Sequence, residues 1–189
     1  MSEKRMITPE DFLRVVETDR LILRRPNHED SLVLKNLWKN KESRAYLGGI
    51  VADEFVDQKI ADLQSHWDLH QFGQWAVIEK TLNQAVGLCG LHHSENGIEI
   101  SYMFFPQFWG QGFAREAVNA SLDYGFHFLK FKEIVAITQD ANRSSCRLLD
   151  KIGMIHINNF ERFNASQRRY RLTDIEWQLR AFSHGTSRP

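Results

Sequence analysis

Hydrophobic and polar residues recur with two different periods along the first third of the chain. In TDRLILRRP, residues 18–26, they alternate up to a proline, and this pattern predicts a first strand. Residues 27–30 supply helix-capping side chains, and the leucines and tryptophan of SLVLKNLWKN then recur at helical spacing. A second helix is predicted over residues 53–69, and Gly48 and Gly49 predict a turn in the loop before it. The residues expected to face inward from the second helix are Phe55, Ile60, Leu63 and Trp67.

A strand pattern begins at Gln74. The segments QWAVIEK, AVGLCGLHH and GIEISYMFF are separated by the turn-like LNQ and SENG, which predicts an antiparallel meander of three strands. A helix over about residues 114–128, a strand over residues 133–138 and a short helix over residues 142–152 follow. IHINNFERF and RRYRLTDIEWQL come last as two strands, the second turning helical near Asp174. We therefore expect an α/β (α+β) fold with one mixed, mostly antiparallel sheet of about seven strands and helices on both faces.

Composition and charge limit the classes of function that the chain can have. A chain of 189 residues is long enough to bury one core, with an N-terminal extension over residues 1–17, a folded domain over residues 18–180 and a tail over residues 181–189. The 24 basic residues balance the 24 acidic residues, so no strong field favours nucleic acid or an anionic membrane. Apolar runs are too short to span a bilayer, and the first residues lack the apolar core of a signal peptide. Cys89 and Cys146 lack CxxC spacing, so we expect reduced thiols in a cytoplasmic protein.

The adjacent histidines His92 and His93 are a candidate for a metal site. Neighbouring residues of a strand point to opposite faces of the sheet, and no Cys or His partner follows at the spacing of metal ligands. No metal is therefore expected.

The junction FFPQFWGQGFAREAVN carries the first chemical signal. A strand leads through a turn containing Gly110 and Gly112 into a helix, whose first backbone N–H groups have no partner within the helix. Those donors and the positive end of the helix dipole can bind an anion, and glycine lets a phosphate approach the backbone closely. The alternative is that the glycines only form a tight turn. A nucleotide P-loop is excluded because no Lys-Ser/Thr pair follows, and a dinucleotide fold because no third glycine does.

The context of this loop resembles the GNAT superfamily of acetyl-CoA-dependent N-acetyltransferases. The segment WGQGFAREA lies between ISYMFFPQF and, beyond the next strand, ANRSSCRLLDKIGM, and the resemblance covers about residues 18–177. Within the superfamily the chain is most similar to the branch that includes the acetylases of ribosomal-protein N-terminal amines. The resemblance implies acetyl-CoA as acetyl donor, held by a loop that here comprises Trp109, Gly110, Gln111, Gly112, Phe113 and Ala114. Trp109 departs from the Gln or Arg that is usual at the first of these positions.

The resemblance also implies roles for the neighbouring elements. The strand before the loop should pair its free backbone groups with the pantetheine arm, and by position these groups belong to Tyr102, Met103 and Phe104. Asn142 matches the family's cofactor-contacting asparagine and can also cap its helix. Ser145, the serine of N-x-x-S, can donate a proton to the thiolate or only hydrogen-bond the cofactor.

Acetyl transfer to an amine requires a base, an oxyanion donor and an acid. Glu99 is the candidate base, since the alternation in GIEISYMF places it with Ser101 and Met103 on one face, and apolar walls would raise its pKa. A solvated or ion-paired sheet residue is the alternative for Glu99. A backbone N–H near Met103 is the candidate oxyanion donor. Ser145 is the candidate acid, with Tyr170 as an alternative.

Family analogy places Trp38, Arg44 and Tyr46 in the acceptor groove. The favoured function is transfer of acetyl to a primary amine, of a protein N-terminus or a small molecule, by direct attack in a ternary complex. A non-catalytic acyl-CoA-binding sensor is the alternative, and phosphate binding without CoA is a third possibility. We expect a monomer or homodimer.

Overall fold

The computed structural model describes residues 15–184, with side chains as far as residue 180. Its strands are β1 (Val15–Glu17), β2 (Leu21–Arg24), β3 (Gln74–Glu79), β4 (Gln84–Ser94), β5 (Gly97–Phe104), β6 (Glu133–Gln139), β7 (Ile155–Arg162) and β8 (Ala165–Thr173). Its helices are α1 (Ser31–Lys39), α2 (Lys41–Arg44), α3 (Asp53–His70), α4 (Phe113–Asp123), α5 (Arg143–Ile152) and α6 (Asp174–His184). Most of the predicted N-terminal extension, residues 1–14, and the last five residues of the predicted tail lie outside the described part.

All eight strands form one sheet in the order β1-β2-β3-β4-β5-β6-β8-β7. Neighbouring strands are antiparallel except β5 and β6, which are parallel. The expectation of a mixed, mostly antiparallel sheet with helices is confirmed. The additional strand is β1, three residues that we had assigned to an N-terminal extension and that pair with β2.

The sheet opens between β5 and β6. These two strands share a single register pair, Glu99 with Val135, near the start of each. Beyond it β5 stays paired with β4 up to Phe104, and β6 stays paired with β8 up to Gln139. The two strands therefore separate toward their carboxyl ends and leave a wedge between them.

A hydrophobic core covers each face of the sheet. The larger core, on the α4 side, includes Trp75, Leu122 and Tyr170, while the smaller one, under α1 and α3, includes Trp38 and Met103. Side chains of β5 alternate between the two cores, as the period of a strand requires. The residues of β5 that enter the larger core are Ile100 and Phe104.

Two details of the helix and strand predictions are wrong. Phe55 does not face inward but is 58% exposed, and its neighbour Val56 enters the smaller core instead. The first strand is shorter than residues 18–26 and covers only Leu21–Arg24, because the chain turns at Thr18, whose backbone N–H donates to the carbonyl of Leu21.

The structure also describes the state of the two cysteines and the membrane-spanning potential of the helices. Cys89 and Cys146 are buried free thiols, and burial raises the pKa of Cys89 to about 12. Within residues 15–184, no helix combines the length and the apolar character needed to cross a membrane.

One partly buried carboxylate joins the first hairpin to the start of α4. Glu116 accepts hydrogen bonds from the hydroxyl of Thr18 at 2.6 Å and from the backbone N–H and the Nε of Arg20 at 3.0 and 2.7 Å. Arg20 also donates to the carbonyl of Gln111 at 2.9 Å and lies over the ring of Phe113. Partial burial raises the pKa of Glu116, but the hydrogen bonds outweigh it, and the net pKa lies below its usual value.

We expect Glu116→Gln to lower the free energy of unfolding by ~1–3 kcal/mol at pH 7, because hydrogen bonds to a charged group are lost. A carboxyl whose pKa is lower in the folded than in the unfolded protein stabilises the folded state at pH values above its unfolded-state pKa. This stabilisation is lost as the pH falls through the folded-state pKa. The difference from wild type should thus shrink in acid, as measured by urea denaturation across pH. Asp57→Asn, which breaks the exposed pair with Lys35, is the control and should cost less than ~1 kcal/mol. An equal cost for both variants would contradict the role of Glu116.

Candidate functional site

A cavity of about 520 Å³, which we call the wedge cavity, fills the opening between β5 and β6. Its walls come from the end of β5, the loop and first turn of α4, the end of β6 and the outer face of α5. The predicted cofactor-binding residues that line it are Tyr102, Met103, Phe104, Trp109, Gly110, Gly112, Phe113, Ala114, Asn142 and Ser145. Gln111 is not among the lining residues, because its side-chain amide donates to the carbonyl of Gln107 outside the cavity.

The two glycines of the loop adopt the left-handed conformation that favours glycine. Gly110 has φ +73° and Gly112, the N-cap of α4, has φ +84°. A Cβ would meet nothing within 4 Å at Gly110, but at Gly112 it would lie 3.3 Å from the guanidinium of Arg20. The loop thus brings the N-terminus of an 11-residue helix to the cavity without intervening side chains.

The electrostatics of the wedge cavity suit an anion. Its lining includes the cations Arg115, Arg147 and Lys151 against one carboxylate, that of Glu42. Arg115 lies in the first turn of α4, whose unpaired N–H groups also attract negative charge, and Arg147 and Lys151 of α5 line the same cavity. A phosphorylated ligand such as CoA therefore fits the residues present.

The indole of Trp109 forms a hydrogen bond within the protein. Its Nε1 donates to the carbonyl of Phe104 at 2.9 Å, and the hydroxyl of Ser43 donates to the same oxygen at 3.0 Å. The carbonyl at the end of β5 is therefore already bonded within the protein. Tryptophan therefore has a hydrogen-bonding role of its own at a position where the resemblance implied Gln or Arg.

A pair of hydroxyl groups lies where β5 faces α5. The Oγ of Ser145 and the phenolic oxygen of Tyr102 are 2.6 Å apart, and Asn142 caps the helix by accepting from the N–H of Ser145. Burial raises the pKa of Tyr102, so its hydroxyl stays protonated. Sequence analysis gave Tyr102 a backbone role only and missed this side-chain contact. The alternation of β5 against α5 was the available signal.

A second cavity of about 350 Å³, the side cavity, lies on the α1–α3 face of the sheet. Trp38 and Arg44 line it, whereas Tyr46 lines the wedge cavity. The two cavities meet at the middle of β5, because both are lined by Leu47, Ser101, Tyr102 and Met103. The residues proposed for an acceptor therefore lie on both sides of this meeting point.

Glu99 lies beside the side cavity but does not line it. Burial raises the pKa of its carboxyl, while a hydrogen bond from Ser94 and the charge of Arg162 oppose the shift. Its partner across the β4–β5 ladder, His92, does line the cavity and lies 3.5 Å from the hydroxyl of Ser101. Burial, followed by the nearby His66 and His93, lowers the pKa of His92 to about 4.

Two other candidates lie elsewhere. Tyr170, the alternative acid, is fully buried in the larger core and lines neither cavity. His93 points away from His92 and packs on the rings of His70 and Phe72. Among residues 15–184, no three His, Cys, Asp or Glu side chains are grouped so that they could hold a metal ion.

Comparison with known proteins places this architecture in a family. The sequence profile of the acetyltransferase (GNAT) domain matches residues 20–155. A relative named uncharacterized N-acetyltransferase p20, from Bacillus licheniformis, is 34% identical over 146 residues, which cover 74% of this chain and 82% of that protein.

Solved structures share the fold. The spermidine N-acetyltransferase of Vibrio cholerae, in complex with CoA and spermine, matches with a TM-score of 0.75 at 20% identity, covering 85% of this chain and 99% of that one. The ribosomal-protein-S5-alanine acetyltransferase of Vibrio fischeri matches with a TM-score of 0.73 at 16% identity, covering 86% and 98%. Identities this low show a common fold alone.

The contact between Tyr102 and Ser145 predicts coupled stability effects. Tyr102→Phe and Ser145→Ala each remove the same hydrogen bond, so the double variant should lose about 0.5–1.5 kcal/mol less than the sum of the single losses. Urea denaturation of the four proteins measures this coupling. Strictly additive losses would show that the two hydroxyls do not bond to each other.

Proposed function

Because the chain belongs to the acetyltransferase (GNAT) family and is an acetyltransferase, we propose that it moves acetyl from acetyl-CoA to a primary amine by direct attack in a ternary complex. The observation that carries the proposal is the meeting of the two cavities at Ser101–Met103, where a donor from one side and an acceptor from the other would come into contact. No covalent acyl-enzyme is needed when both substrates reach one point.

The GNAT family uses acetyl-CoA, which supplies an acetyl group activated as a thioester. We assign its phosphates to the N–H groups that follow Gly110 and Gly112, together with Arg115, Arg147 and Lys151. Backbone groups of Tyr102 and Met103 along the open edge of β5 would hold the pantetheine arm as an added strand. The carbonyl of Phe104 contributes less, because Trp109 and Ser43 already donate to it.

The proton transfers are assigned to the side chains of Glu99, Ser145 and Tyr102, and the stabilisation of the oxyanion to the backbone of Met103. Glu99 accepts the proton of the acceptor amine through water, since its carboxyl lies behind the cavity wall. The backbone N–H of Met103 donates to the developing oxyanion. Ser145 donates its proton to the departing sulfur, and Tyr102, bonded to it at 2.6 Å, can replace that proton.

The acceptor includes, in this proposal, the N-terminal amine of a protein. The likeness to a ribosomal-protein-S5-alanine acetyltransferase supports testing peptide N-termini beside small amines. The experiment is a thiol-release assay with acetyl-CoA across such a panel. Acetyl-CoA binding without turnover on any acceptor would instead favour the non-catalytic sensor.

We expect Gly112→Asp to weaken CoA binding at least tenfold, because it adds a side chain and a negative charge where phosphates approach a helix N-terminus. Calorimetric titration with CoA measures the change. Asn83→Asp, which adds the same charge at an exposed position of positive φ remote from both cavities, is the control. Unchanged affinity in Gly112→Asp would remove the assignment of this loop.

We expect Glu99→Gln to lower kcat by about 10²–10⁴-fold with little change in CoA affinity, because a positioned base is lost. The base must be ionised, so wild-type kcat should fall as the pH drops through the raised pKa of Glu99, and this limb should be absent in the variant. Glu95→Gln, in the same hairpin but exposed and paired with Arg162, is the control.

His92→Gln tests the other titratable group of this strand pair. If Glu99→Gln keeps its kcat while His92→Gln loses it, the base is His92, which lines the side cavity. If neither change affects turnover, the proton leaves directly to solvent.

A further inference from the structure

The charges around the side cavity are unbalanced. Besides Tyr102, whose hydroxyl stays protonated, its ionisable lining residues are Arg44, Lys59, Asp62, His66 and His92. Two are permanent cations at neutral pH, and one is a carboxylate. The net charge of the wall therefore depends on the two histidines and on how each charge is already paired.

Both histidines are uncharged at neutral pH. The Nδ1 of His66 lies 2.9 Å from the carbonyl of Phe72, and its Nε2 accepts from the backbone N–H of His93, so both ring nitrogens are used by the neutral ring. Burial lowers the pKa of His66, and burial also lowers that of His92 to about 4. Neither imidazole ring therefore contributes a charge to the cavity wall at neutral pH.

The two cations lack carboxylate partners among the residues described. Arg44 donates to the backbone carbonyls of Gly49 and Leu47, which fix its guanidinium at the cavity, and burial lowers its pKa. Lys59 takes part in no ion pair between described residues. The lysines of the same helix interface behave differently, since Lys35 and Lys39 pair with aspartates of α3.

The one carboxylate is directed along its own helix. Asp62 is exposed and accepts from the side-chain amide of Gln58 at 2.8 Å, one turn earlier in α3. It therefore offers a weak and solvated counter-charge. Among the groups that line the side cavity, the cations Arg44 and Lys59 therefore outnumber the carboxylate of Asp62, and the carboxylate of Glu99 lies outside the lining.

We infer that the side cavity takes an acceptor whose primary amine is accompanied by a carboxylate, which Arg44 and Lys59 bind. This inference rests on the proposed function and specifies its substrate class. The sources of such chemistry are a free amino acid and a peptide N-terminus followed by an acidic residue. A polyamine, with several positive charges, meets repulsion from the same wall.

The charges of Arg44 and Lys59 also affect the protonation of the acceptor amine. A nearby cation disfavours the protonated form of an amine and so lowers its pKa. Arg44 and Lys59 would thus lower the pKa of an amine held between them and the middle of β5, whereas an ionised Glu99 acts in the opposite direction, so the base is still needed to remove the proton. Loss of one proton to the base leaves the lone pair free to form the new C–N bond. As the C–S bond breaks, the sulfur takes the proton of Ser145, and the second proton of the nitrogen passes through water to the Tyr102–Ser145 pair.

Matched acceptors test the inference in the full chain. One arm compares an amino acid with its amide, with rates corrected for the fraction of neutral amine, and a second compares the amidated peptides Ala-Glu and Ala-Gln. Spermidine is the third arm. We expect the carboxylate member of at least one pair to have a kcat/KM about tenfold higher, and spermidine to be the poorest acceptor. Preference in the first pair identifies amino acids, and preference in the second identifies acidic peptides.

Charge reversal supplies the second test. Lys59→Glu should abolish the preference within the pairs by raising KM for the carboxylate member about tenfold, with KM for acetyl-CoA unchanged. Lys35→Glu, which changes the same charge at a residue that does not line the cavity, is the matched control. Calorimetric titration of the CoA-loaded protein with the same acceptors gives a readout independent of turnover.

The outcomes separate the two proposals. Equal binding and turnover of both members in each pair, or a preference for spermidine, overturns the inference and leaves acetyl transfer intact. Selective, Lys59-dependent binding of a carboxylate amine without thiol release upholds the inference and refutes catalysis.

Discussion

The divergence of β5 from β6 is the constraint on which the site depends. Each strand keeps a complete ladder with its other neighbour, so neither can follow the other past the pair formed by Glu99 and Val135. The backbone edges that remain open would be costly if they were buried without partners. A wedge in the sheet is stable only when water or a ligand satisfies these groups, and the architecture therefore requires a ligand-accessible opening at this point.

Two sets of side-chain contacts hold the elements around the wedge in place. Arg20 and Glu116 join the first hairpin to α4 and support the glycine loop from behind. Trp109 and Ser43 hold the carbonyl at the end of β5 from the other side. Because these contacts fix the backbone on both sides, they hold the helix N-terminus and the strand edge in their relative positions.

The sequence predicted the elements that have strong periodicity or a diagnostic turn. The meander of β3–β5 was readable because LNQ and SENG separate alternating segments, and α5 was readable from Asn142 at one end and Gly153 at the other. β1 was missed because three residues are too short to show a period. Phe55 was misplaced because α3 is only partly buried, so its hydrophobic residues do not all lie on one face.

The residues of the candidate site likewise include some that the sequence could predict and some that it could not. Gly110 and Gly112 could be located because they stand at a junction between a strand and a helix, and their assignment to a cofactor loop came from the resemblance to the family. The contact between Tyr102 and Ser145, and the placement of His92 in a cavity wall, join residues distant in sequence. Such contacts depend on the register between elements, which one sequence does not specify.

The two cavities draw on different parts of the chain. Outside the sheet, the side cavity is walled by α1, α2, α3 and the loop after α2, whereas most of the wedge cavity belongs to residues 100–151. In the proposed arrangement, substitutions in the helices before β3 would alter which amine is admitted while the donor side keeps its geometry. If the two cavities have the proposed roles, a lineage built on this chain could change its acceptor through about forty consecutive residues without rebuilding the part that holds the acetyl donor.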